Sequence, residues 1–137
     1  MKFGDFVKVK SLHNVENFKK SIQELGLNIP CDEELKIGDA SPMTSSLQVG
    51  KFKIGNRYAI HPMEGWDGNT DGTPSENTKR RWSNFGKSGA KLIWGGEAVA
   101  VRHDGRANPH QLILNAKTQS DIAQLRETLV VAHKEVM

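Results

Sequence analysis

Apolar positions along the first third of the chain keep helical spacing once and then lose it. In "NVENFKKSIQELG", Val15, Phe18, Ile22 and Leu25 share one face, with Asn14 placed to cap the start and Gly26 to close the end, so the pattern predicts a short amphipathic helix. The stretch "LNIPCDEELKIGDASPM" carries prolines, a group of acids and small residues, and reads as an irregular connector. With "SLQVGKFKIGNRYAIHP" the period changes. Short runs flank Gly50 and Gly55, which predicts a small hairpin leading into a strand at about Arg57 to His61. Pro62 ends that strand, because proline cannot donate a ladder hydrogen bond.

After a glycine-rich loop, "TPSENTKRRWSNFGKSG" places Thr73 three residues before Glu76, with Pro74 between them at the first helical position. That spacing predicts a capping box and a helix start. Trp82 and Phe85 share a face of this helix, and Gly86 or Gly89 ends it. The run Leu92, Ile93, Trp94 in "AKLIWGGEAVAV" predicts a strand covered on both faces. "RHDGRANPHQLILNAKT" reads as a polar loop punctuated by Gly105 and Pro109. Ile122, Leu125, Leu129, Ala132 and Val136 then form the stripe of a closing helix. Helix, hairpin, strand, helix, strand, helix is the order of an α/β fold whose parallel strands are joined by crossover units. Two such strands do not complete a parallel sheet, which needs both faces covered and its edges managed.

Length and charge narrow the picture further. A chain of 137 residues is one ordinary domain. Nineteen Lys and Arg stand against sixteen Asp and Glu, and the basic residues are scattered, which argues little for a nucleic-acid partner. Cys31 is the only cysteine, so neither an internal disulfide nor a CxxC metal site is available, and a reducing, cytoplasmic setting fits. No run approaches the roughly 20 apolar residues of a membrane span, and "MKFGDFVKVK" lacks the apolar stretch of a signal peptide. The histidines form no HxxxH or HExxH pattern, so no metal is expected. GxSxG, GxxxxGK and GxGxxG are likewise missing from the sequence. "TKRRW" sets basic residues beside an aromatic, as a nucleic-acid module does. On a capped helix, however, Lys79, Arg80 and Arg81 read as the wet face around a buried Trp82.

In α/β folds ligands gather at the carboxyl ends of the strands. The ends here are "HPMEGW", His61 to Trp66, and "GGEAVAVRHDGR", Gly95 to Arg106. Parallel strands would bring both to one edge, so Pro62, Met63, Glu64 and Trp66 are expected to face the same ligand as Glu97 and Ala98. Simpler readings stand beside these: Glu64 as a solvated loop carboxylate, Trp66 as a lid on the core, Gly95 and Gly96 as a bulge.

The run "NRYAIHPMEG…DGTPSENTKRRWSNFGKSGAKLIWGGEAVAVRHDGRANPHQLIL" resembles the opening of the Old Yellow Enzyme family, the FMN-dependent NADH:flavin oxidoreductases and ene-reductases. The resemblance spans roughly Ser41 to the C-terminus. It implies the N-terminal part, about the first quarter, of a (β/α)8 TIM barrel with FMN across the carboxyl ends of its strands. Residues 41–137 would be the hairpin and first two βα units, and residues 1–40 an extension with one amphipathic helix. "LQVGKFKIGNR" is similar to the family's hairpin closing the barrel bottom. The resemblance gives His61, Pro62, Met63, Glu64 and Ala98 as cofactor-binding residues and Trp66 as a substrate neighbour. "DGRANPHQ" resembles the family's EGR loop, with Arg106 the matching arginine.

Glu64 departs from the pattern, since it falls where the family often has threonine or cysteine. A carboxylate there opposes an anionic reduced flavin and lowers its potential. The implied activity is hydride transfer from NAD(P)H through FMN to an activated alkene or similar small-molecule acceptor. The family's ring-binding glutamine, its substrate-binding pair and its phosphate site lie further along a barrel of about 250 residues. On this reading the chain alone is expected to be inactive and colourless. The rival readings are a non-enzymatic degenerate relative or a split-enzyme subunit, assembling with a partner chain through the second strand and last helix, and a small nucleic-acid module at "TKRRW". Neither nucleic acid nor membrane is an expected partner.

Overall fold

Asn14 opens the first helix by accepting the Asn17 amide on its side-chain oxygen at 2.8 Å. This helix, α1, runs Val15–Glu24, and Gly26 turns the chain away from it in the left-handed region, with φ of +66°. The computed structural model describes residues 2–133. It divides the chain into two units, one ending at Ile37 and the other starting at Gly38. In the first, Val15, Phe18 and Ile22 are half-buried and Leu25 is exposed, so the apolar stripe of α1 is covered only in part. Lys19 pairs with Glu33 there, an exposed contact of small energetic weight.

The second unit begins with an antiparallel hairpin, β1 (Leu47–Val49) and β2 (Phe52–Ile54), in which Leu47 faces Ile54 and Val49 faces Phe52. Gly50 makes its turn at φ +56°, a conformation open to glycine. Next, β3 (Ala59–Ile60) pairs in parallel with β4 (Leu92–Ile93), Ala59 opposite Leu92 and Ile60 opposite Ile93. Between them in sequence lies α2 (Glu76–Lys87), and α3 (Gln119–Ala132) follows β4. Strand β3 is shorter than the Arg57 to His61 expectation. Ahead of it the Asn56 side chain takes over: its oxygen accepts the amides of Tyr58 (3.1 Å) and Lys91 (3.2 Å), and its nitrogen donates to the Gly89 carbonyl at 2.8 Å. The amino ends of both strands are therefore tied by a side chain rather than a ladder.

Helix α2 starts two residues later than the capping box read from Thr73, Pro74 and Glu76. Ser75 is the cap: its hydroxyl accepts the Thr78 amide at 3.2 Å, and the Thr78 hydroxyl accepts the Ser75 amide at 3.3 Å. Thr73 is held elsewhere. The Asp71 carboxylate accepts both its amide (2.9 Å) and its hydroxyl (2.7 Å), a local turn that competes with capping.

The core gathers Trp82 from α2, Ile93 from β4, Leu112, and Leu125 and Leu129 from α3, with Ile60, Phe85, Val99 and Ile122 packed against them. Leu112 and Ile113 correct the reading of this stretch as a polar loop, for they are 0% and 2% exposed. Ile113 bridges Ala100 in parallel, and the Ala100 amide donates to the Leu112 carbonyl at 2.9 Å, adding a short third rung beyond β4. Burying either side chain contributes about 1.5–3 kcal/mol. Trp94 is a second correction: expected to be covered, it stands 66% exposed. Helices α2 and α3 meet at Gly86, where a Cβ would lie 2.7 Å from both the Ala132 Cβ and the Leu129 carbonyl oxygen. Leu125 and Leu129 supply the buried face of α3, while Val136 of its expected stripe lies outside the described residues. No helix among the described residues is long and apolar enough to cross a membrane.

Candidate functional site

Past Ile60 and Ile93 the chains leave the ladder at the same edge and pair again one residue out of step, the extra residue being taken up where Gly95 and Gly96 adopt positive φ. Met63 bridges Glu97 in parallel, and the Ala98 amide donates to the Met63 carbonyl at 3.2 Å. Gly96, at φ +59°, packs its backbone against the Trp82 ring, from which a Cβ would stand only 2.7 Å. His61, Met63, Glu64, Trp66 and Ala98 are all exposed at this edge, and Pro62 is half-buried. Met63 is 75% and Trp66 71% exposed, large apolar surfaces facing outward. They border a cleft of about 520 Å3, lined also by Ile60, Arg81, Phe85 and, from the second strand end, Gly96, whereas Pro62 and Ala98 are not part of its lining.

Glu97 does not face that cleft as expected, since its side chain is 0% exposed. One carboxylate oxygen accepts the Gly65 amide at 3.0 Å, and the other accepts Arg81 Nη2 at 2.7 Å and Trp82 Nε1 at 3.2 Å. Arg81 also donates to both oxygens of Asp67, from Nε at 3.0 Å and Nη2 at 2.8 Å, and Asp67 accepts the Thr78 hydroxyl at 3.0 Å. A buried carboxylate costs several kcal/mol unless it is paired and its lone pairs are filled; Glu97 meets both conditions. The Arg81 hydrogen bonds hold the Asp67 carboxyl below the usual carboxylate range, with help from Thr78 and against partial desolvation. Hydrogen bonding to Asp67, and then to Glu97, holds the Arg81 guanidinium above its ordinary value.

Arg81 therefore departs from the wet-face reading of "TKRRW". Lys79 and Arg80 do point to solvent, and Lys79 pairs with Glu76 at 2.7 Å. Helical geometry could have separated them: Arg81 stands one turn before Phe85, and its guanidinium lies 5.7 Å from that ring.

Further side chains hold the edge in place. Asn108, buried, donates to the Gly65 carbonyl at 3.3 Å, and Gln111, also buried, donates to the Ala98 carbonyl at 3.1 Å. Both lie in the stretch read as a polar loop, and nothing in its sequence marks them. Arg106 Nη1 donates to the carbonyls of Thr70 (3.0 Å) and Pro109 (2.7 Å) and so staples neighbouring loops. On the rim itself, the Glu64 carboxylate accepts Trp66 Nε1 at 3.1 Å.

Neither the known protein families nor the curated proteins contain a match to the chain. A second cavity, of about 490 Å3, opens between α3 and the segment after β4, lined mainly by apolar residues including Ile93, Leu114, Ile122 and Leu129. Among the described residues its polar lining is Gln119 and Arg126. Among the described residues no group of three or more His, Cys, Asp and Glu converges in a way that could hold a metal ion.

Proposed function

We propose that the ends of β3 and β4 form part of the ring-binding wall of an FMN-dependent NAD(P)H oxidoreductase of Old Yellow Enzyme type, as the first two βα units of its (β/α)8 barrel. The observation that carries this reading is the parallel alignment of the strand ends, with Met63 opposite Glu97 and the Ala98 amide on the Met63 carbonyl. Flat ligands bind at such an edge. The residues present fit a ring: Met63 and Trp66 border the cleft and are exposed and largely apolar, Ala98 is exposed beside Met63, and the rim carboxylate Glu64 is engaged by the Trp66 indole.

When bound, FMN supplies hydride transfer from NAD(P)H to an activated alkene or similar acceptor. His61, Pro62, Met63 and Ala98 would line the ring, with Trp66 on the acceptor side. Glu64 would place a negative charge nearby, disfavouring added electrons on the ligand. A second reading, a split-enzyme subunit or non-enzymatic relative that assembles with a partner chain, is favoured by the apolar cavity beside α3.

Binding tests this proposal. Among the described residues the only Lys or Arg lining the cleft is Arg81, already engaged by Asp67 and Glu97, so a phosphate should add nothing. The purified chain is expected to be colourless and inert. FMN and lumiflavin should bind alike, with fluorescence quenching that saturates near the millimolar range, about −4 kcal/mol. A yellow preparation with stoichiometric flavin, or no saturable quenching by either compound, would overturn the proposal.

A further inference from the structure

Gly65 lies between the exposed Glu64 and Trp66, yet both of its backbone polar atoms are held by buried side chains from distant parts of the sequence. Glu97 accepts its amide at 3.0 Å, and Asn108 donates to its carbonyl at 3.3 Å. Their residues are 4% and 7% exposed. A Cβ on Gly65 would lie 2.4 Å from both Arg81 Nη2 and Glu97 Oε1, so the loop is pressed directly onto the charged network. An ordinary surface turn satisfies its backbone with water. Here a buried carboxylate, itself braced by Arg81 and Trp82, is directed at a single loop peptide. Such bracing fixes side chains whose geometry matters, as supporting shells do around binding sites.

We infer that Glu97 and Asn108 are positioning residues: they clamp the Gly65 peptide so that Glu64 and Trp66 present a fixed surface to a flat ring at the cleft. The ring-binding role rests on the function proposed above; the clamp is tested separately from it.

The substitution Glu97→Gln leaves one acceptor oxygen where three donors now converge. The charged Arg81 takes it, and the Gly65 amide then faces an NH2 group. In the full chain, hydrogen exchange at the Gly65 amide should accelerate by roughly ten-fold or more, and NMR relaxation should report a more mobile Trp66 indole. Asn108→Ala should loosen the same indole from the other side. Lumiflavin affinity should fall by roughly ten-fold in both variants while the amides of α2 and α3 stay protected. If Glu97→Gln fails to fold, Asn108→Ala decides by Trp66 mobility and lumiflavin affinity. A wild-type Gly65 amide that exchanges as fast as an unbonded loop amide would overturn the inference, as would folded variants with unchanged Trp66 mobility. Should the wild type bind no lumiflavin, the flavin reading fails, and Gly65 exchange and Trp66 mobility still decide the clamp.

Discussion

Arg81 stands between two carboxylates, Asp67 and Glu97, and its removal would leave the buried one without its cation. Breaking a buried pair costs about 3–5 kcal/mol. The Arg81 side chain keeps 28% of its surface exposed, so Arg81→Met is expected to lose roughly 2–3 kcal/mol in urea unfolding. The same network sets a pH dependence. Asp67 is depressed in the folded state, so its contribution is fully present above the unfolded carboxylate value, about pH 4, and is lost as pH falls through the folded value. Asp67→Asn should therefore flatten the fall in stability below about pH 4 and change little of the slope above it, as read from unfolding at a series of pH values. At this scale the sequence was a partial guide. The rim residues His61 to Trp66 and Ala98 could be named from their place after the strands. Glu97 could be named too, but not its inward turn, because two residues adjacent along a strand end point to opposite sides. Arg81 reads like Arg80 in a basic triplet, and only its place one turn before Phe85 on the helix sets it apart.

Helices α2 and α3 touch at Gly86, where there is no room for a methyl group. Alanine would gain about 1 kcal/mol of helix propensity, but the crowding against Ala132 and the Leu129 carbonyl outweighs it. Gly86→Ala is expected to destabilise the fold by about 1–3 kcal/mol in urea unfolding, whereas the same change at an exposed helical glycine would stabilise it. Elements with strong local punctuation were legible: Gly50 in the hairpin, Asn14 and Gly26 around α1, Pro62 beyond β3. The start of α2 was legible to within two residues, its register changed by Asp71 capturing Thr73. The rung at Leu112 and Ile113 escaped notice because a short apolar run between Pro109 and Asn115 carries no period, and its burial comes from a distant partner, Ala100.

Across the molecule, burial is unevenly shared. Within the unit that ends at Ile37, no residue whose exposure is described is buried, and Leu35 and Ile37 are 89% and 76% exposed. The unit from Gly38 on contains Trp82, Leu112, Leu125 and the other core residues. Amides of α1 are accordingly expected to exchange orders of magnitude faster than those around Leu125 and Leu129, measured by native-state hydrogen exchange. The alternation of strand and helix could be read along the sequence, whereas the uneven burial could not, since Phe18 and Ile22 carry the same helical pattern as Leu125 and Leu129. The whole-molecule claim is that the ends of β3 and β4 act together as one ring-binding edge. The most direct test is a 1H–15N NMR titration of the chain with lumiflavin. The account expects saturable shifts in residues 61–66 together with 94–98; because Gly95 and Gly96 also line the apolar cavity, shifts in 94–98 that are accompanied by Leu114 and α3 but not by 61–66, or shifts scattered without saturation, would contradict it.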